Sequence, residues 1–90
     1  LIETNQFQGG IMLLPSIWAS LAHCWLGLDE LPRSFQCYQQ SLGYQGGGRD
    51  SSLWFGVGLL YNRYGADDLA IESFSTVLKL EGYLKINKNE

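Results

Sequence analysis

Two tryptophan-led patterns with the same internal spacing constrain this chain more than any other feature of its sequence. In each, small, apolar or aromatic residues follow the tryptophan at three, four and seven positions, a small residue follows at sixteen, and an aromatic residue at twenty. The first set is Trp18, Leu21, Ala22, Trp25, Ser34 and Tyr38, and the second is Trp54, Val57, Gly58, Tyr61, Ala70 and Phe74. Intervals of three, four and seven residues place side chains on one face of an α-helix. The chain is therefore predicted to contain two copies of one helical unit.

The spacing W-x2-L-G-x2-Y followed by A-x3-F is the signature of a tetratricopeptide (TPR) repeat, a hairpin of two helices. Shifting the first pattern by 36 residues superimposes Trp18 on Trp54 and Leu42 on Leu78. This period exceeds the usual 34 residues, and a glycine-rich loop between the hairpins accommodates the difference. We predict an all-α fold in which two TPR helix-turn-helix hairpins stack as a short right-handed α-solenoid, a piece of a longer array.

The expected segments follow from this repeat and from the glycine-rich stretch. They are 1–14, irregular or frayed; 15–43 and 51–80, the two TPR repeats within 15–80; 43–50, the flexible loop that joins them; and 81–90, a polar tail.

Local signals predict where the helices begin. Pro15 and Pro32 suit the first turns of the first and second helices, because the N–H that proline lacks would be unpaired there. Ser51 or Ser52 is expected to cap a third helix over about 53–64, and Asp67 is expected to cap the fourth.

Small residues are expected where the two helices of each hairpin come closest. Ala22 with Ser34 and Gly58 with Ala70 supply these contacts, and the aromatic residues of the two patterns fill the surrounding core. The inward stripes of the second and fourth helices are predicted to be Leu31, Phe35, Tyr38 and Leu42, and Ala70, Ile71, Phe74, Val77 and Leu78.

Composition and charge restrict the classes of function. The 90 residues are 46% hydrophobic and suffice for one globular domain, and a net charge of -3 with six Lys and Arg argues against direct nucleic-acid binding. No apolar run approaches the roughly 20 residues that cross a bilayer, so we expect a soluble intracellular protein with no membrane partner. Cys24 and Cys37 are expected as reduced, partly buried thiols, and with the single His23 they make no metal site.

No catalytic, cofactor or metal site is predicted. Gly46–Gly47–Gly48 lacks the Lys-Ser/Thr pair and the preceding strand of a phosphate loop. Gly56 and Gly58 lie in a helical pattern and are interpreted as helix-packing residues rather than a dinucleotide loop. The sequence offers no nucleophile–base pair, so enzyme activity is not expected.

One face of the first helix of each hairpin lies outside the inward stripe. Ala19, His23 and Leu26 correspond to Phe55, Leu59 and Asn62 under the 36-residue shift, and such positions line the concave groove of stacked repeats. The candidate partner-binding residues are Ala19, His23, Phe55, Leu59 and Asn62. We expect Phe55 and Leu59 to be apolar anchors, with His23 and Asn62 supplying polar specificity. The alternative, that they only pack on a neighbouring repeat, stays open.

Three runs, over residues 16–42, 53–65 and 70–80, resemble the TPR array of the fungal general transcriptional co-repressor. The most specific is L-W-F-G-V-G-L-L-Y-N-R-Y-G at 53–65, and the match covers about residues 15–80. The resemblance implies a protein-interaction scaffold in the nucleus, where a TPR subunit joins a WD-repeat co-repressor to sequence-specific DNA-bound repressors. The TPR regions of Jumonji-type histone lysine demethylases look similar, but more distantly.

Two alternative functions remain at this point. One is a TPR segment of a chromatin-modifying, demethylase-like protein; the other is a co-chaperone adaptor that clamps an acidic C-terminus. A clamp needs Lys, Arg and Asn on the concave face, where this sequence has only Asn62 and Arg63. Because about three stacked repeats are needed for stability, we expect a marginal monomer, a chain that self-associates through exposed repeat ends, or a chain that folds fully only with its partner.

Overall fold

The computed structural model describes residues 14–44 and 46–82 as two packed helical hairpins. The helices are α1 (Leu14–Gly27), α2 (Leu31–Gly43), α3 (Ser51–Tyr64) and α4 (Asp67–Leu80), with a 3-10 turn at Gly47–Arg49. α1 packs against α2, α3 packs against α4, and the two hairpins meet mainly through α2 and α3. The predicted all-α fold of two TPR-like hairpins is confirmed. The expectations for residues 1–13 and 83–90 lie outside the described residues.

The first hairpin is closed by two serines of α2 that bond to the backbone of α1. Ser34, fully buried, donates its hydroxyl to the carbonyl of Ala22 at 2.9 Å. Ser41 does the same to the carbonyl of Pro15 at 2.8 Å. A side chain as short as serine reaches the opposite backbone only where the helices are in close contact, so these bonds fix both the spacing and the register of the hairpin.

The second hairpin uses a glycine where the first uses an alanine. A methyl group at Gly58 would overlap the ring of Phe74, so this ring lies directly against the backbone of α3. Ala70 is buried in the same interface. The ring of Phe74 on α4 thus occupies the space that a side chain at position 58 would need.

The glycine-rich connector is folded against the hairpins. Gly47 is buried beside the carbonyl of Ser41, where a side chain would collide with the backbone of α2. The indole N–H of Trp54 donates to the carbonyl of Gly48 at 2.8 Å. These contacts tie the turn to α2 and to the start of α3.

The predicted helix caps are wrong at α3 and α4. α3 begins at Ser51, and the carboxylate of Asp50 accepts the N–H of Ser52 at 3.0 Å, so Asp50 is the cap. At α4 the cap position is Ala66, which makes no side-chain bond. The turn after α3 consists only of Gly65 and Ala66, so Asp67 is already helical; its charge still complements the positive end of the helix.

The core lies between the two hairpins and is built from both. Its buried residues are Ala19, Ala22, Leu26, Cys37, Tyr38, Leu53, Val57 and Leu60. Around them pack the partly buried Trp18, Trp25, Leu31, Phe35, Leu42, Trp54 and Tyr61. Three residues of the predicted inward stripes, Leu21, Ile71 and Leu78, are instead exposed. They lie on the outer sides of α1 and α4, which no other described helix covers.

Candidate functional site

Phe55 and Leu59 form an exposed apolar pair one turn apart on α3. Their exposed fractions are 51% and 37%, high for an aromatic and an aliphatic side chain of this size. The ring of Phe55 rests against that of Phe74, with centroids 5.7 Å apart and planes tilted by 50°. Phe55 is thus held by an aromatic contact while about half of its surface faces solvent. This pair is a preformed apolar surface on the second hairpin.

The equivalent face of the first hairpin is not a groove. Ala19 and Leu26, both expected on the concave surface, are buried in the core, and that expectation is wrong for them. The reason is tertiary: α2 packs along α1 and α3 also contacts it, so this side of α1 is covered. The exposed candidates are therefore His23 on α1 and Phe55, Leu59 and Asn62 on α3, while Ala19 contributes almost no surface.

His23 lies at the junction of three helices. Its Nδ1 atom is hydrogen-bonded to the hydroxyl of Tyr38 at 2.6 Å, with the rings edge to face. Partial burial lowers the pKa of His23 below its ordinary value, and the carboxylate of Asp50 partly opposes this shift. Burial raises the pKa of Tyr38 to about 12, so its hydroxyl keeps its proton. A neutral imidazole can then accept the hydrogen bond of the Tyr38 hydroxyl at Nδ1 and present the N–H of Nε2 as a donor.

Arg63 joins the two hairpins, a role that its sequence position does not predict. Its Nη1 atom donates to the carbonyl of Leu26 at 2.7 Å and lies 3.4 Å from the carboxylate of Asp29. The carbonyl belongs to the last turn of α1, where a cation is favourable. The guanidinium that a carboxylate clamp would use is therefore engaged within the chain, while Asn62 beside it is exposed.

A second apolar surface, absent from the sequence-based candidates, opens between the hairpins on the side of α2. Phe35, Tyr61, Tyr64 and Ala66 line its mouth. Tyr64 is half exposed there, three residues after the signature Tyr61. The interval of three residues between Tyr61 and Tyr64 was the sequence signal for this surface, since it places both tyrosines on one side of α3.

The described residues offer little to a metal or cofactor. Within 14–44 and 46–82 no three His, Cys, Asp or Glu residues are grouped as metal ligands would be. Cys37 is buried, which raises the pKa of its thiol, and Cys24 is exposed rather than partly buried as expected. None of the helices described has the length and apolar character needed to cross a membrane.

Two helical hairpins with small residues at their closest contacts and an exposed apolar pair define a helical-repeat protein of the TPR type. The chain is 43% identical over 65 residues to general transcriptional corepressor trfA of Dictyostelium discoideum, covering 72% of this chain and 5% of the relative. It is 38% identical over 73 residues to general transcriptional corepressor ssn6 of Schizosaccharomyces pombe, covering 80% and 7%. General transcriptional corepressor CYC8 of Saccharomyces cerevisiae is 48% identical over 33 residues, covering 37% and 3%.

The resemblance to the TPR-containing general transcriptional corepressors that the sequence predicts is thus confirmed. The chain spans only 5–7% of the length of the first two relatives. No protein-family profile and no solved structure matches the chain.

Proposed function

We propose that this chain is a protein-interaction module of the transcriptional corepressor type, which docks partner proteins through the surface of α3. The names of the three relatives support a role in transcriptional corepression. The observation that carries the proposal is the apolar pair Phe55 and Leu59, held in place by Phe74 and facing solvent.

The mode of recognition is helix in groove. An amphipathic partner helix places apolar residues at intervals of three and four, which matches the one-turn separation of Phe55 and Leu59. Asn62, one turn further along α3 and exposed, supplies a polar contact at the edge, and His23 supplies a second through its free Nε2. The binding energy comes from burying the two apolar side chains, and the polar groups fix orientation.

The partner is a WD-repeat co-repressor, a sequence-specific DNA-bound repressor, or both, and the site of action is the nucleus. This assignment rests on the likeness to the general transcriptional corepressors. This function requires no catalytic step from the chain. It requires only a surface that is ordered before the partner binds.

The test compares the double variant F55S/L59S with L69S/L80S. All four residues are exposed large apolar side chains, but Leu69 and Leu80 lie on α4, away from the proposed surface. Binding of purified WD-repeat co-repressor is measured by calorimetry for each. Burying one such side chain contributes about 1.5–3 kcal/mol, so F55S/L59S should bind at least tenfold more weakly and L69S/L80S should match the wild type.

Circular dichroism separates a binding role from a structural one. Unchanged helicity with lost binding supports docking on α3, whereas equal affinities of the two variants would exclude this surface. If F55S/L59S loses helicity, the pair belongs to the core and the proposal is wrong.

A further inference from the structure

A continuous groove runs between the two hairpins on the side of α2. Its inner part is a cavity of about 180 Å³ whose walls come from α2 and α3 and include Trp54. Its outer part, of about 300 Å³, is the apolar surface where Tyr64 lies half exposed. Phe35 and Tyr61 line both parts, so the two are contiguous. Two neighbouring apolar sites therefore lie along one groove.

The groove is separate from the surface formed by Phe55 and Leu59. Phe55 and Tyr64 are nine residues apart on α3. Because an α-helix has about 3.6 residues per turn, this interval is about two and a half turns and places the two side chains on opposite sides of the helix. A partner bound to the first surface therefore leaves the groove open.

The groove ends at acidic side chains. Ala66 lines its outer part and also a neighbouring depression, which Asp67 and Asp68 line as well. Both carboxylates are exposed, and neither forms an ion pair with another described residue. Along the groove, an apolar cavity and an apolar mouth are thus followed by two negative charges.

Carboxylates are in excess at this end of the molecule. The contact of Arg63 with the carbonyl of Leu26 brings the turns of the two hairpins together. Four exposed carboxylates lie in these turns and in the helix starts that follow them: Asp29, Glu30, Asp67 and Asp68. The two guanidinium groups at the same end are engaged, since Arg63 also lies beside Asp29. Arg33 stacks on Trp25, 4.7 Å from the centre of its ring. The local field therefore favours a cation.

We propose that this groove binds a short segment of a partner protein in which two apolar side chains are followed by Lys or Arg. The order within the segment follows the order of the sites along the groove. The occupant is a basic partner because of the excess of carboxylates; a second copy of this chain, itself with a net charge of -3, is not favoured there. Burial of the two apolar anchors supplies affinity, and the basic residues fix the direction of the segment. This interaction is additional to docking on α3 and does not depend on it.

The probe is a phage-displayed library of random peptides of about 12 residues, long enough to follow the groove along α3. The library is selected on the full chain, and the Kd of each enriched peptide is measured by fluorescence polarisation. Enriched peptides should carry Lys or Arg after two large apolar residues.

Two variants alter the groove, Y64S at its mouth and D67N/D68N at its acidic end. Y64S removes a half-exposed aromatic wall and should raise the Kd of the enriched peptides about tenfold. D67N/D68N should raise it about twofold to tenfold at low salt, because exposed ion pairs each contribute little. At high salt D67N/D68N should match the wild type, since exposed charges are then screened.

Two controls leave the groove intact and should bind the peptides like the wild type. They are F55S/L59S, on the other side of α3, and E72Q, which removes an exposed α4 carboxylate that lines no part of the groove. Peptides that F55S/L59S loses and Y64S keeps would overturn the proposal. So would enriched peptides without a basic residue, or a selection that enriches nothing, which would leave the groove empty or filled by the chain itself. If Y64S loses helicity in circular dichroism, the salt-dependent loss in D67N/D68N decides.

Discussion

At the residue scale, the junction between the hairpins depends on one missing side chain. The position of Gly56 on α3 faces the hydroxyl of Tyr38, and a methyl group there would also come within 2.7 Å of the imidazole of His23. Tyr38 is fully buried and hydrogen-bonded, so it cannot swing away. The sequence predicts that Gly56 is a helix-packing residue, but only the structure shows that the ring packed against it is that of Tyr38.

Replacing Gly56 by alanine should therefore destabilise the protein although alanine is the better helix former. Overpacking of this kind costs about 1–3 kcal/mol, which exceeds the gain of about 1 kcal/mol in helix propensity. Gly27, the last residue of α1, has nothing near its own missing side chain, so G27A is the matched control. We expect G27A to gain about 0.5–1 kcal/mol in urea denaturation and G56A to lose about 1 kcal/mol net, the difference between the overpacking cost and the propensity gain. A stabilised G56A would show that Tyr38 can move.

At the element scale, the start of α3 is set by Asp50 and the start of α4 by the brevity of its turn. The predicted cap of α3 lies one or two residues after the true one, because serine and aspartate at 50–52 are all good capping residues. Which of these residues caps α3 depends on where the preceding 3-10 turn ends. The predicted cap of α4 lies one residue too late, because the two-residue turn makes Asp67 already helical. The helices themselves were predictable, since their apolar intervals and their flanking proline and glycine residues are local signals.

The cap gives a prediction with an internal comparison. D50A removes the acceptor for the N–H of Ser52 and should lower the free energy of unfolding by about 1 kcal/mol. D67A removes only a charge in the first turn of α4 and should cost about 0.3–1 kcal/mol, an effect that salt screens. Thermal unfolding at low and high salt distinguishes them: the loss in D50A should persist at high salt. Equal, salt-sensitive losses would mean that Asp50 acts only through its charge.

At the scale of the whole molecule, one polar contact joins the two hairpins and another holds the ring that lies at their apolar junction. Arg63 of α3 holds the last turn of α1, and His23 of α1 holds Tyr38 of α2 beside Gly56. Neither contact was foreseen, because each joins residues that are distant in the sequence. Together they give the junction a register that apolar packing alone would leave loose.

His23 makes this junction sensitive to pH. Its pKa is lowered in the folded chain, so between the folded value and the unfolded value near 6.5 the unfolded chain binds more protons. Stability should be fully present above about pH 6.5 and should fall as the pH drops through that window. In urea denaturation at pH 7.5 and 5.5, the wild type should lose more stability than H23Q, which has no proton to gain. Equal losses would assign the acid sensitivity to carboxylates.

The sequence by itself determined the four helices and two hairpins of the described residues, their approximate limits and the relatives that the chain resembles. These follow from local information: apolar residues at helical intervals, and proline, glycine and small residues at fixed positions. The tertiary structure decided which of those apolar residues are buried. Ala19 lies in the core while Leu21, two positions on, is exposed, because α2 and α3 cover one side of α1 and no described helix covers the other. Burial is set by which helix crosses a face, and that is a property of distant parts of the chain.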